Sequence, residues 1–253
     1  MSQHSKRVAI VTGATSGIGK ATARKLVAEG ISVIGNGRNA DKLSQLETEL
    51  GLNFCGVAGD ITDNLVIDSL FDAAQKRFGK IPDIVVANAG RGLGGSVVES
   101  DVAEFQKVLQ INVTSTLALL QKSAKLMLTS QSNQYPNVAA DIIIIGSVVG
   151  RNISPFSAVY GATKFAVHAL AEGLRREVGP RGIRVSLVEP GLLLSGFQEA
   201  AGYSDTLVTS FKEKFGPLLI GEDIADTICF MINQPPHVHI SEIMVRPTRQ
   251  DYP

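Results

Sequence analysis

Seven short apolar-rich runs, separated by stretches with helical spacing, constrain this 253-residue chain more than any other feature. They fall at Val8–Val11, Ile31–Ile34, Phe54–Ala58, Ile84–Ala87, Asp141–Gly146, Arg184–Val188 and Glu242–Val245. Parallel neighbours in a sheet cannot be joined by a tight hairpin; each connection needs a crossover, usually a helix. The intervening segments supply one. An Ala-rich stretch runs from Gly19 to Gly30, Asp41–Leu50 reads as a helix, and Ile67, Leu70, Phe71, Ala74 and Phe78 keep helical spacing up to Gly79. The alternation predicts an α/β fold: a doubly wound, mainly parallel sheet of seven strands with helices on both faces. No linker or repeat divides the chain, so residues 1–253 are expected to form one domain. Leu192–Pro217 is poorly periodic and holds three glycines; it reads as a lid over a ligand.

The first apolar run leads into Thr12-Gly13-Ala14-Thr15-Ser16-Gly17-Ile18-Gly19, and a helix follows. Strand, glycine loop and helix is the context a nucleotide-binding loop requires. The glycines let backbone N–H groups approach a phosphate, and the helix N-terminus adds positive potential. The alternative is a plain tight turn. The second run ends at Gly35-Asn36-Gly37-Arg38, where a carboxylate would be expected for a ribose 2′-hydroxyl. Arg38 stands there instead, either to pair with a 2′-phosphate or as a solvated loop arginine. Asp60 follows the third run and could accept from an adenine amino group or cap the next helix. Asn88-Ala89-Gly90 ends the fourth, followed by a glycine-rich rim loop, Arg91–Gly95.

Downstream, Phe105, Val108, Leu109, Asn112, Val113, Thr116, Leu117 and Leu120 mark one face of a long helix. Asn112 is a polar amide in that apolar stripe, so it is satisfied by local backbone or belongs to a polar site. Ser147 follows the fifth run, and Tyr160 and Lys164 come thirteen and seventeen positions later. Four residues is about one helical turn, so Tyr160 and Lys164 share a face. A nearby ammonium lowers a phenol's pKa, which would make Tyr160 an acid/base at neutral pH. Ala162, Phe165, Ala166, Ala169 and Gly173 read as the packing face of that helix.

Composition excludes several classes. Hydrophobic residues make up 44% and charged residues 19%, a globular balance, and the net charge is +0, so neither nucleic acid nor an anionic membrane surface is an expected partner. No signal-peptide core or membrane-length apolar run is present. Cys55 and Cys229 lack CxxC spacing and read as reduced packing thiols of a cytoplasmic protein. His4, His168, His237 and His239 form no flanked ligand set, so no metal is expected.

Taken in order, Thr12-Gly13-x-x-x-Gly17-Ile18-Gly19, Asp60, Asn88-Ala89-Gly90, Asn112, Ser147, Tyr160-x-x-x-Lys164 and Pro190-Gly191 resemble the short-chain dehydrogenase/reductase family along essentially the whole chain. The resemblance implies a Rossmann fold with strand order 3-2-1-4-5-6-7. It implies that Tyr160 exchanges a proton with the substrate oxygen, Ser147 hydrogen-bonds that oxygen, Lys164 binds the nicotinamide ribose and Asn112 positions a relay water. The loop residues Gly13, Thr15, Ser16, Gly17, Ile18 and Gly19 would hold the cofactor phosphates, with Asp60 and Ile61 at the adenine. Asn88, Ala89, Gly90, Pro190, Gly191 and Ser195 would complete the cleft. Two departures stand out: Ala87 replaces the family's first Asn, and Ser195 replaces its Thr. Arg38, preceded by Gly37, is similar to members that prefer NADP(H). The implied activity is hydride transfer between NADP(H) and a small secondary alcohol or ketone, with a 3-hydroxy acid as one candidate, to which the tail Ser241–Thr248 adds a weak signal. Larger ketones, such as 3-oxoacyl thioesters or aromatic or alicyclic ketones, are the alternative. Arg91, Arg151 and Lys212 are candidate carboxylate ligands, with solvated surface cations as the favoured alternative. A non-catalytic NADP-binding sensor or scaffold is a third reading, disfavoured because Asn112, Ser147, Tyr160 and Lys164 are all present. Homotetramers or homodimers through the long helices are implied.

Overall fold

A computed structural model describes residues 7–130, 134–154, 157–196 and 201–252. His4 and part of the expected lid lie outside these residues.

The strands are β1 (Val8–Val11), β2 (Ser32–Gly37), β3 (Phe54–Ala58), β4 (Ile84–Ala87), β5 (Ala140–Ile145), β6 (Ile183–Pro190) and β7 (Glu242–Val245). They form one parallel sheet in the order β3-β2-β1-β4-β5-β6-β7, as expected. Strand β2 extends three residues past the expected Ile34, through Gly35-Asn36-Gly37. The reason is steric: a Cβ on Gly35 would lie 2.4 Å from the Phe54 ring, and one on Gly37 2.5 Å from Thr15 Cγ2. The glycines let the strand continue under these neighbours.

Eight helices are described: α1 (Gly17–Ala28), α2 (Ala40–Leu50), α3 (Asn64–Phe78), α4 (Val102–Leu109), α5 (Ser115–Ser130), α6 (Ala158–Val178), α7 (Asp205–Phe215) and α8 (Gly221–Ile232). Side chains alternate along each strand. Ile10, Ile34, Val85, Ile142, Ile144 and Val185 join one core with residues of α3, α5 and α6; Val11, Val33, Val86, Ile143 and Val188 join another with residues of α1, α2 and α8. Below the sheet, Arg7 and Arg184 clamp the buried Asp141, and Arg184 also donates to the Ile232 carbonyl at the end of α8. Among the described residues, no helix is long and apolar enough to cross a membrane.

Three expectations need correction. The long helix is interrupted by a π turn over Gln110–Thr114. Its extra residue rotates the buried stripe, so Leu119 and Leu120 face the core whereas Leu117 is 49% exposed. On α6 the buried residues include Tyr160, Thr163, Lys164, Val167 and Ala171; Ala162, Phe165, Ala169 and Gly173 lie on the exposed side. The expected packing stripe is therefore the outer face. Finally, the expected lid contains a regular helix, α7, whose N-cap Ser204 accepts from Leu207 N.

Candidate active site

In this strand order the winding of the sheet reverses between β1 and β4, and a crevice opens at the carboxyl ends of those strands. Its two lips are the loops the sequence singled out. The Thr12 hydroxyl accepts from Asn88 N and Ala89 N, each at 3.0 Å, and Asn88 Nδ2 donates to Thr12 O at 2.8 Å. These bonds join the glycine loop to Asn88-Ala89-Gly90. Gly13 needs its left-handed φ of 67°, and a Cβ on Gly19 would lie 2.2 Å from Gly13 O. Ser16 begins α1 without a side-chain cap, which leaves first-turn N–H groups open to an anion.

A cavity of about 650 Å³ extends from this loop to the lid. Gly13, Ser16, Gly17, Ile18, Asn88, Ala89, Gly90, Ser147, Tyr160, Lys164, Pro190, Gly191 and Ser195 all line it. Gly19 lies beneath the loop. Thr15, Arg38, Asp60, Ile61 and Asn112 lie outside the lining. Thr15 packs on Gly37, at the end of β2. Arg38 is exposed and makes no hydrogen bond or ion pair among the described residues. Asp60 does not cap α3; Asp63 does, by accepting from Leu65 N. The Asp60 carboxylate instead accepts from Thr62 N and its hydroxyl, bonds that hold it below the ordinary carboxylate range. Ile61 is buried behind it.

The cavity floor is formed by β5 and α6. Ser147 lies just beyond β5, and its Oγ accepts from Val149 N at 3.4 Å. Tyr160 is hydrogen-bonded with Ser147. Lys164 donates to Ile145 O at 2.7 Å, and its Nζ lies 5.8 Å from the centre of the Tyr160 ring. The expected lowering of the Tyr160 pKa does not hold in this structure. Burial raises it well above 10.0, Tyr203 adds to the rise, and the Ser147 bond opposes it. Burial likewise pushes the Lys164 ammonium down to about 8. At 5.8 Å from the ring, the Lys164 ammonium does not offset the phenol's desolvation.

Asn112 makes both kinds of bond the sequence allowed. Its Oδ1 accepts from Arg91 N at 2.8 Å, while Nδ2 donates to Arg91 O at 2.9 Å and to Thr163 Oγ1 at 3.0 Å. Thr163 in turn donates to Tyr160 O. The amide thus ties the rim loop to the helix turn that carries Tyr160.

Sequence reasoning missed His168 and the lid wall. His168 Nε2 accepts from Ser147 N at 3.3 Å. Its ring fills a slot that only glycines permit: a Cβ on Gly146 or Gly150 would lie 2.4 Å from it. Burial, then Lys164 and Arg151, push His168 down to about 4. Tyr203, Leu207, Phe211 and Phe215 line the lid side of the cavity. Their spacing of four was legible, although the glycines around it masked the helix. Gln250 and Tyr252 reach in from the C-terminal segment; Gln250 Oε1 accepts from Leu192 N at 2.8 Å, and the Tyr252 hydroxyl bonds Ile153 O.

The candidate carboxylate ligands are already engaged or remote. Arg91 pairs with Glu104, Arg151 pairs with Glu189 and Glu242, and Lys212 is exposed outside the lining. His239 meets Val185 O, and no group of three metal-ligating side chains occurs among the described residues.

Similar chains occur among known proteins. An uncharacterized oxidoreductase of Staphylococcus epidermidis is 33% identical over 247 residues, covering 98% of this chain and all of that one. One of Staphylococcus aureus is 34% identical over 242 residues, covering 95% of this chain and 97% of the other. Among solved structures, a closed serine dehydrogenase complexed with NADP+ is similar at a TM-score of 0.86 and 27% identity, covering 97% of this chain and 96% of that one. A 3-ketoacyl-(acyl-carrier-protein) reductase from Brucella melitensis complexed with NADH follows at 0.84 and 25%, covering 96% and 98%. The family model for short chain dehydrogenases matches residues 7–204, and with the relatives above it shows that this chain is an oxidoreductase of the short-chain dehydrogenase/reductase family.

Proposed function

We propose that the protein interconverts a secondary alcohol and its ketone with NADP(H) as the hydride partner. The observation that carries this reading is that Ser147, Tyr160 and Lys164 line the same cavity as the glycine loop. The residues fit a dinucleotide: the uncapped start of α1, with Gly13, Ser16, Gly17 and Ile18, would hold the pyrophosphate. Thr15 and Gly19 shape that loop, and Asp60 and Ile61 would border the adenine. Arg38, exposed at the end of β2, would pair with the 2′-phosphate. Asn88, Ala89, Gly90, Pro190, Gly191 and Ser195 would border the nicotinamide half.

When bound, the nicotinamide supplies or takes up the hydride. The remaining work falls to the chain. Tyr160, held as a phenol by burial, gives its proton to the carbonyl oxygen in reduction and recovers it in oxidation. Ser147 holds the same oxygen by a hydrogen bond. Lys164 lies beneath both and supplies positive charge when protonated. Asn112 acts as a positioning residue that fixes the Tyr160 turn through Thr163. The reading takes residues 1–253 as one cofactor-binding domain with a lid at 192–217, working in the cytoplasm. Self-association as a homodimer or homotetramer is supported by the exposed face of α6 and by Leu117 on α5.

The similarity to serine dehydrogenase supports a small hydroxy acid as substrate. The aromatic lid wall favours a second reading, a bulkier ketone. The cofactor assignment is tested by fluorescence titration of wild type and Arg38→Ala with NADPH and NADH. Loss of the phosphate pairing is expected to weaken NADPH binding by about 10- to 100-fold, or about 1.4–2.8 kcal/mol, and to leave NADH unchanged. Equal binding of both cofactors, with no effect of the substitution, would sink the NADP assignment. Tyr160→Phe is expected to bind NADPH normally and to lose turnover.

A further inference from the structure

Resting on the oxidoreductase reading, we propose that the substrate is a neutral ketone or alcohol with an aromatic or branched hydrocarbon body, bound against the inner face of the lid. Tyr203, Leu207, Phe211 and Phe215 recur every four residues, so they form one face along α7 and the turn before it. That face lines the same cavity as Ser147 and Tyr160. The rings brace each other: Tyr203 and Phe211 meet edge-on at 6.4 Å between centres, and Phe211 and Phe215 at 6.3 Å.

The wall is also anchored. Tyr203 is hydrogen-bonded with Ser157, at the start of α6, and Gly94 N donates to Ala201 O at 3.2 Å. These bonds fix the apolar face relative to Tyr160, so a hydrocarbon body would meet preformed aromatic surface.

The electrostatics point the same way. Of the cations lining the cavity, Arg91 pairs with Glu104, and Lys214 stacks over the Phe215 ring with Asp251 4.0 Å away. Lys164 lies under Tyr160 and donates to Ile145 O. Arg151 holds two carboxylates of its own, one of them buried Glu189. A substrate carboxylate would have to compete for cations that already have partners, whereas a hydrocarbon group needs only the aromatic wall.

Calorimetry on the NADP+-loaded protein tests this without turnover, because a ketone and NADP+ form a dead-end complex. Acetophenone is expected to bind at least about tenfold more tightly than 3-oxobutanoate. Phe211→Ala should erase that difference, and Phe211→Leu should restore much of it. Equal or tighter binding of 3-oxobutanoate, or no response to Phe211→Ala, overturns the proposed substrate class. NADPH-dependent reduction of acetophenone separates the two levels: preferential binding without Tyr160-dependent turnover would refute the proposed ketone–alcohol reaction and leave the apolar site standing.

Discussion

His168 should make this protein sensitive to acid by an amount the structure sets. Its Nε2 accepts the Ser147 N–H, so the neutral ring carries its proton on Nδ1. A second proton would turn the accepting nitrogen against that N–H, in a slot shared with Lys164 and Arg151; Glu242 is the one carboxylate that opposes the effect. The folded protein therefore holds His168 at about 4, against 6.5 for an ordinary histidine. Between these values the unfolded chain binds the proton and the folded protein does not, so stability rises with pH across the window and is lost as pH falls from about 6.5 to about 4. The full loss is on the order of 3 kcal/mol, of which about 2 develops between pH 7 and pH 5. Urea unfolding of wild type and His168→Gln at those two pH values reads it directly. Glutamine retains an acceptor for Ser147 N and does not titrate. Wild type should lose about 2 kcal/mol more than the variant. Parallel pH dependences, within about 0.5 kcal/mol, would show that the imidazole is not held neutral by its surroundings.

Two further substitutions probe the lips and the rim of the site. Gly19→Ala would drive a Cβ to 2.2 Å from Gly13 O and 2.5 Å from Asn88 Nδ2, so the loop must open; NADPH affinity should fall by about 100-fold with helix content by circular dichroism retained. Arg151→Ala strands Glu189, whose side chain is 1% exposed, and should destabilise the fold by about 2–3 kcal/mol in chemical denaturation. Adding Glu189→Gln to Arg151→Ala should recover most of that loss, because the uncompensated charge is gone.

The sheet was legible because its signals are local. Apolar runs mark strands, helical spacing marks crossovers, and the handedness of parallel connections leaves few arrangements. The glycine loop was legible for a similar reason: close backbone approach needs glycine, and the loop's place after β1 fixes its surroundings, whereas Asn88 was marked only by the family resemblance. The lid was harder. Its residues at 203, 207, 211 and 215 keep a helical interval, but they face a cavity, and no strand signal shows which side of the sheet they cover. The outer stripe of α6 was misread for the opposite reason. Spacing identifies a face without saying what lies against it, and the buried residues Val167 and Ala171 belong to the face that joins the core.

The Tyr160 and Lys164 pair shows where spacing stops being informative. An interval of four does bring the two side chains together, with the ammonium 5.8 Å from the ring. The sign of the electrostatic effect depends on burial, which spacing does not carry. Both groups are buried, so each is pushed toward its neutral form: the phenol keeps its proton and the ammonium drops to about 8. That state suits a proton donor. A phenol that already holds its proton can deliver it to a ketone oxygen as negative charge develops there, and Ser147, bonded to the same hydroxyl, is placed to share that oxygen. Oxidation has the harder task, because the phenolate it needs is the form that burial opposes. Under the proposed function, the protonated phenol that burial favours is the form the reductive direction uses.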